Sequence, residues 1–213
     1  MILDGVILTI LLSMTSVINF FGVTMFKRFY ILTLIICSGF SIQAKEVAGI
    51  ELEEVTRLSV ENTELVLNGS AVRFEAQHAV YVGGLYLKEQ TSSFEKIITD
   101  PNPKRFLLYC STDQISSEKI IAAWEQGFAI NYSDQEVKKL QPMISEFNKA
   151  WQSGLMAGDE VWVDFIPGQG TKITLNGSTV AEIAGDEFYH AFLKTWLGPH
   201  PFNSKMKNAL LGK

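Results

Sequence analysis

The stretch AVRFEAQHAVYVGGLYL, residues 71–87, decides the fold. Its β-branched and aromatic residues predict one long strand. The dipeptide Asn68-Gly69, a common hairpin turn, predicts a tight connection from a preceding strand over residues 63–67. The long strand carries Arg73, a permanently charged side chain in a segment with few other charges. Such an arginine requires a partner, and Arg73 is therefore the first candidate for a functional residue.

The segment over residues 116–131 has helical periodicity. Trp124 and Phe128 stand four positions apart on one apolar stripe, and Asn131 follows three positions later. Residues three or four apart lie on the same side of a helix. We therefore expect Asn131 to present an uncharged hydrogen-bonding group on an otherwise apolar face.

A second helix, predicted over residues 186–197, repeats this arrangement. Phe192 belongs to its apolar stripe, and Thr195 follows three positions later. We expect Arg73, Asn131 and Thr195 to converge at the floor of one apolar pocket. Such a pocket would suit a small anionic or carbonyl-bearing ligand, since arginine pairs well with carboxylates and apolar walls enclose the rest.

Length and composition favour one globular domain over residues 45–213. The chain has 213 residues and a formal net charge of −5. No basic stripe for nucleic acid is present, and the acidic balance argues against an anionic membrane surface as the partner of the mature domain. The composition does not indicate the oligomeric state.

Residues 1–44 are interpreted as a secretory leader with an over-extended N-terminus. Lys27-Arg28 forms a basic region, residues 30–40 an apolar region, and Ala44 a small residue before the expected cut. We take Met25 as the true start and predict export, with the periplasm as the destination. The alternative is an uncleaved membrane anchor, because the run upstream of Met25 is long enough to cross a bilayer.

The order of predicted elements favours an α+β domain. Short strands, the long strand and a central strand over residues 104–111 precede a block of two helices. A hairpin, a further strand and closing helices follow. Strands on both sides of a helix block indicate an antiparallel sheet with helices on one face.

Metal and cofactor chemistry have no sequence signal. His78, His190 and His200 are dispersed without metal-ligand spacing. Gly168-Gln169-Gly170 lacks the lysine and the strand-to-helix context of a phosphate loop, so it is interpreted as a hairpin turn. Cys110, the one cysteine after the leader, is expected to be a small buried residue. We therefore expect no metal site and no cofactor.

Five segments carry a resemblance to a known family. They are residues 68–73 (NGSAVR), 81–87 (YVGGLYL), 124–128 (WEQGF) with Asn131, 167–171 (PGQGT) and 195–198 (TWLG). In this order they resemble the chalcone isomerase-like family, in particular its exported bacterial branch. The resemblance spans nearly all of residues 45–213. It implies an open-faced β-sandwich, in which a layer of helices covers a long antiparallel sheet and leaves a cleft between them.

The resemblance also implies candidate site residues. The plant enzymes of the family close a flavanone ring by adding a phenolate to an enone, without a cofactor. By position, Arg73, Asn131 and Thr195 match the arginine, the asparagine and the late threonine that act there. Two positions depart: Trp124 stands where the catalytic tyrosine would be, and the strand threonine is replaced at or near Val82. An indole cannot replace a phenol in a carbonyl-polarising network, so the departures argue against chalcone cyclisation.

Each polar candidate also has a purely structural interpretation. Arg73 would then form an ion pair with Glu75, Glu64 or a helix carboxylate. Asn131 would cap the end of its helix, and Thr195 would bond back to its own helix. These interpretations remain open at the level of the sequence.

Three functions therefore remain. The first is an exported protein that binds a small apolar carboxylate or phenolic ligand, as fatty-acid-binding relatives of the family do. Its binding residues would be Arg73, Val82, Trp124, Phe128, Asn131, Phe192 and Thr195. The second is a cofactor-free isomerase acting on an unknown enone, with Arg73, Asn131 and Thr195 as the catalytic candidates. The third is an envelope protein whose cleft is filled by its own side chains.

Overall fold

The computed structural model describes residues 44–58 and 62–213. The predicted leader, except for Ala44, lies outside these residues. The strands are β1 (Ala44–Val47), β2 (Ile50–Glu53), β3 (Val55–Leu58), β4 (Thr63–Glu75), β5 (His78–Leu87), β6 (Lys104–Cys110), β7 (Gln114–Ile115), β8 (Leu155–Met156), β9 (Glu160–Ile166), β10 (Gly170–Leu175) and β11 (Ser178–Ala184). The helices are α1 (Phe94–Thr99), α2 (Ser117–Asn131), α3 (Asp134–Lys149), α4 (Glu187–Leu197) and α5 (Ser204–Leu210).

Seven of these strands form one antiparallel sheet in the order β11-β10-β9-β6-β5-β4-β3. The predicted central strand, β6, lies between β5 and β9, and it is buried along most of its length. The helices cover one face of the sheet. The prediction of an α+β fold with an antiparallel sheet and a helix layer is confirmed.

The predicted long strand over residues 71–87 is wrong in one respect, because it is a hairpin. The chain reverses at Ala76, and Arg73 of β4 pairs with Tyr81 of β5. Ala76 adopts a φ of 50°, in the left-handed region that glycine or asparagine usually occupies. Neither residue stands at this turn, so the sequence gives no sign of it.

The predicted turn at Asn68-Gly69 is also wrong, since both residues lie inside β4. The Asn68 side-chain amide donates to the Leu210 carbonyl oxygen at 2.7 Å, and its oxygen accepts the Thr91 N–H at 2.7 Å. A Cβ at position 69 would collide with the carbonyl oxygen of Ala209. The dipeptide therefore serves close packing of α5 on the sheet and not a change of direction.

The helix signals agree with the structure. Ser116 caps α2 by accepting the Lys119 N–H at 3.3 Å. Ser133 and Glu136 form the predicted capping box of α3. None of the helices in the described residues is both long and apolar enough to span a bilayer.

Buried apolar residues pack on both faces of the sheet. The larger core lies between the sheet and the helices. A smaller core on the opposite face holds Leu65, Val82 and Tyr86, and Leu52 of β2 packs onto it. The β1–β2 hairpin, which the sequence does not predict in full, therefore covers part of the outer face.

Candidate functional site

A cavity of about 370 Å³ opens between the sheet and the helix layer. Its volume is within the range of roughly 300–1,000 Å³ found for small-molecule sites. The sheet contributes Arg73, Glu75, Val80, Tyr81, Leu108 and Cys110. The helix layer and its loops contribute Lys119, Ile120, Ala123, Trp124, Gln126, Ile130, Trp151, Trp196, Pro201 and Phe202. The lining is mostly apolar, with its few charges on β4 and at the start of α2.

Arg73 is half-buried in this lining. Within residues 44–58 and 62–213, its guanidinium forms neither a salt bridge nor a hydrogen bond with another side chain. The carboxylates proposed as structural partners are engaged elsewhere. Glu75 pairs with Lys119 at 2.7 Å, and Glu64 pairs with Arg57 at 3.2 Å. Arg73 therefore has no side-chain hydrogen-bond partner among the described residues.

The Glu75–Lys119 pair joins β4 to the first turn of α2 beside the cavity. The hydrogen bond from Lys119 lowers the pKa of Glu75 below its usual value. The two side chains are 45% and 58% exposed, so the pair contributes at most about 1 kcal/mol to stability. The charge of Arg73 also contributes to the lowered pKa of Glu75, but within the described part of the chain Arg73 forms no salt bridge.

Tyr81 faces the cavity from β5, directly across the strand pair from Arg73. Burial raises the pKa of its phenol, although the positive charge of Arg73 opposes the rise. The phenol therefore stays protonated at neutral pH and acts as a hydrogen-bond donor. Its ring meets the edge of Trp196 at 5.9 Å between centroids.

Trp124 lies in the wall that α2 contributes and is 5% exposed. Its ring centroid is 6.1 Å from that of Trp151 and 5.8 Å from that of Trp196, both of which also line the cavity. It also contacts Phe147 at 5.1 Å and Phe192 at 5.2 Å, which lie outside the lining. Trp124 therefore separates the cavity from an aromatic core.

The predicted convergence of Arg73, Asn131 and Thr195 is not found. The Asn131 amide donates to the carbonyl oxygens of Gly127 at 3.0 Å and His200 at 2.8 Å, and joins the end of α2 to a loop. The Thr195 hydroxyl donates to the Phe192 carbonyl oxygen at 2.7 Å within α4. Neither residue lines the cavity.

Phe128 and Phe192 also lie away from the cavity. Both are fully buried in the core between the sheet and the helices. Ile120 and Trp124 of the apolar stripe of α2 line the cavity, whereas Phe128 of the same stripe faces this core. The cavity also borders the flank of the helix beside the stripe. That flank carries Lys119, Ala123, Gln126 and Ile130 at spacings of four, three and four. Because this flank mixes charged, polar and apolar residues, apolar periodicity does not indicate that it lines a cavity.

The family model described as chalcone isomerase-like matches residues 44–212. The chain belongs to the chalcone isomerase-like family. No curated protein sequence matches it. Among solved structures, an Arabidopsis thaliana fatty-acid binding protein is similar to it with a TM-score of 0.54 and 11% sequence identity. The similarity covers 74% of this chain and 96% of the plant protein, and at this identity it describes the fold alone.

Within the chalcone isomerase-like fold, the two positions that depart from the plant enzymes now have locations. Trp124, which the resemblance matches to the catalytic tyrosine of the plant enzymes, lines the cavity. Val82 does not, because it is fully buried in the core on the outer face of the sheet. Neighbouring residues of a strand face opposite sides, and the side chain that β5 presents here is Tyr81.

Trp151, Trp196 and the Glu75–Lys119 pair are cavity residues that the sequence did not single out as a site. Trp151 follows the end of α3, and Trp196 neighbours Thr195 on α4. The family segment TWLG, residues 195–198, was the sequence signal that could have identified Trp196. In that segment the indole of Trp196, and not the hydroxyl of Thr195, reaches the cavity.

Proposed function

We propose that this chalcone isomerase-like protein binds a small apolar carboxylate, such as a fatty acid, in the cavity beside Arg73. The observation that carries the proposal is a guanidinium that lines an apolar cavity and has no side-chain partner among the residues the structure describes. A half-buried cation loses part of its hydration on folding, and charge-assisted hydrogen bonds to a ligand carboxylate offset the free-energy cost of that loss. The planar guanidinium suits a carboxylate, since it donates two parallel hydrogen bonds.

Tyr81 supplies a second donor for the same head group. Its position opposite Arg73 places the phenol on the same stretch of cavity wall. A protonated phenol adds a hydrogen bond to a carboxylate without adding charge. In this arrangement the head group lies beside β4 and β5, and the apolar tail extends along Trp124, Trp151 and Trp196.

The cavity volume limits the ligand that is enclosed. If each non-hydrogen atom takes about the 30 Å³ that a water molecule occupies in the liquid, about 370 Å³ holds roughly a dozen atoms. Decanoate has this size. Longer acids would leave part of their tails outside the cavity, so affinity should stop rising near decanoate.

Titration of saturated fatty acids from octanoate to hexadecanoate into the purified protein tests this proposal. Trp124, Trp151 and Trp196 line the cavity, so tryptophan fluorescence reports its occupation. Primary alcohols of the same chain lengths serve as the control, because they keep the tail and lose the charge. We expect the acids to bind more tightly than the alcohols. Equal binding of both series, or of neither, would remove the basis for an anion site.

A cofactor-free isomerase is the second candidate, and the position of Tyr81 favours it. By the family resemblance, a tyrosine takes part in the plant chemistry, and Tyr81 supplies a phenol opposite Arg73 although position 124 does not. The raised pKa of Tyr81 suits it to polarise a carbonyl as a donor and not to act as a base. A turnover assay with an enone substrate separates this function from binding alone.

We further propose that the protein is exported after cleavage behind Ala44. The support is Lys27-Arg28 followed by the apolar residues 30–40 and a small residue at the cut. N-terminal sequencing of the protein from its host should begin at Lys45, in a fraction outside the cytoplasm. A membrane-bound form that retains Met1 or Met25 would support the anchor instead.

A further inference from the structure

We propose that Trp124 sets the length of the ligand that the cavity accepts, an inference that rests on the proposed binding of a fatty acid. The cavity has a boundary formed by aromatic rings. On the side that lines the cavity are Trp151, Trp196 and Phe202, and the ring of each contacts the ring of Trp124. Trp124 is therefore central to this part of the wall.

Beyond Trp124 the rings belong to the core and not to the cavity. Phe147 meets the Trp124 ring edge-on at 5.1 Å, and Phe192 meets it at 5.2 Å. Both are fully buried, and Phe147 continues to Phe188 at 5.0 Å. A ligand tail that extends along the cavity therefore meets the face or edge of Trp124 before it meets this aromatic core.

Truncation of Trp124 should extend the cavity into that space. Replacing the ten-atom side chain of Trp124 with the four-atom side chain of leucine leaves an apolar space of roughly 60 Å³, and such spaces stay dry and accept apolar ligands. At about 30 Å³ for each non-hydrogen atom, the enlarged cavity holds about two more atoms. The Trp124→Leu variant should therefore enclose acids about two methylenes longer than the wild type does.

The readout is the chain length at which affinity stops rising. Each further buried methylene strengthens binding by roughly fourfold. For the wild type we expect the rise to end near decanoate, and for Trp124→Leu near dodecanoate. The ratio of dodecanoate to decanoate affinity should increase by roughly tenfold in the variant. Trp124→Phe is a milder change that preserves more of the packing. If Trp124→Leu does not fold, Trp124→Phe should still give a higher ratio than the wild type.

Phe128→Leu is the matched control. Phe128 is on the same helix and fully buried, and it contacts Phe147 and Phe188 without lining the cavity. Its truncation should lower stability in a similar way and leave the chain-length profile unchanged. Parallel profiles for wild type, Trp124→Leu and Trp124→Phe would overturn the role of Trp124 and leave the binding function intact. Failure of every acid to bind the wild type would overturn both.

Discussion

Arg105 and Asp164 form a two-point ion pair on the outer face of the sheet. Nε of Arg105 lies 2.7 Å from Oδ1 of Asp164, and Nη2 lies 2.8 Å from Oδ2. The guanidinium also donates to the Thr56 hydroxyl at 2.9 Å and stacks on Trp162 at 3.8 Å. This arginine has the partners that Arg73 lacks. The contrast distinguishes an arginine that supports the fold from one that is available to a ligand.

Removal of the Asp164 carboxylate should destabilise the fold strongly. The side chains of Arg105 and Asp164 are 4% and 5% exposed, so Asp164→Ala leaves a buried charge without its partner. Such a change costs about 3–5 kcal/mol. The control is Glu64→Ala, which breaks an exposed pair with Arg57 and should cost at most about 1 kcal/mol. Urea unfolding of both variants measures the difference, and similar losses would contradict the structural role of the buried pair.

The sequence predicted the fold class because periodicity and caps are local signals. The capping-box residues Ser133 and Glu136 and the hairpin dipeptide Asn176-Gly177 are such signals, and in the structure Asn176 and Gly177 both adopt the positive φ that a tight hairpin needs. The chain reversal at Ala76 was not predicted, because its conformation is stabilised by the pairing of β4 with β5 and not by the alanine itself. Asn68-Gly69 was wrongly predicted to be a turn, because both residues instead contact α5, which is distant in sequence.

The site was predicted only in part, because the spacing of residues does not show whether a helix or strand face points to the cavity or to the core. Helical spacing shows that Asn131 shares a face with Phe128, but not whether that face borders a cavity or the core. In a strand, a shift of one residue changes the face, so Val82 was named where Tyr81 lines the cavity. Arg73 and Trp124 both line the cavity. Their roles in binding remain proposals.

Replacement of Tyr81 by phenylalanine should reduce the loss of stability at alkaline pH. Burial raises the pKa of Tyr81 in the folded protein above the ordinary value of about 10. Below that value both states hold the proton, so the contribution of Tyr81 is constant. Above it only the unfolded chain releases the proton, and stability falls by up to about 1.4 kcal/mol for each pH unit. Unfolding free energies between about pH 9 and 11 should decline less steeply in Tyr81→Phe. Parallel declines would show that the phenol is not buried as described.

Asn131→Ala and Thr195→Val should affect stability and not ligand affinity. Asn131 loses hydrogen bonds to two carbonyl oxygens, a loss of about 1–3 kcal/mol. Thr195 loses one bond within its helix, a loss of about 1 kcal/mol. Melting curves alongside fatty-acid titrations measure the two effects. A fall in affinity without a fall in melting temperature would restore these residues to the site.

Chalcone should not cyclise appreciably faster with the protein than without it. The family resemblance implies that Trp124 stands where the plant enzymes have their catalytic tyrosine, and an indole cannot exchange its proton as a phenol does. The cavity does hold the phenol of Tyr81, but Tyr81 lies on β5 opposite Arg73 and not on α2. A steady-state assay against the spontaneous reaction checks this expectation. An enzyme-dependent rate that Arg73→Ala and Tyr81→Phe both abolish would instead establish the isomerase.

Arg73→Ala should weaken fatty-acid binding by roughly ten- to a hundredfold. The change removes charge-assisted hydrogen bonds, a class worth about 1.5–3 kcal/mol, and about 1.4 kcal/mol corresponds to one decade of affinity. Arg73→Lys should recover only part of the loss, since an ammonium group lacks the planar pair of donors. Because Arg73 has no partner among the described side chains, neither variant should lower the melting temperature appreciably.

Arg57→Ala is the control for the change in net charge. Arg57 lies on β3, is 62% exposed and pairs with Glu64 away from the cavity. Its loss removes one positive charge, as Arg73→Ala does, and should leave the affinity for decanoate unchanged. Calorimetric titration of decanoate and decanol into the three variants and the wild type completes the comparison. Arg73→Ala should reduce the preference for the acid over the alcohol, whereas Arg57→Ala should preserve it. Equal preferences in all four proteins would end the proposal that Arg73 binds the carboxylate.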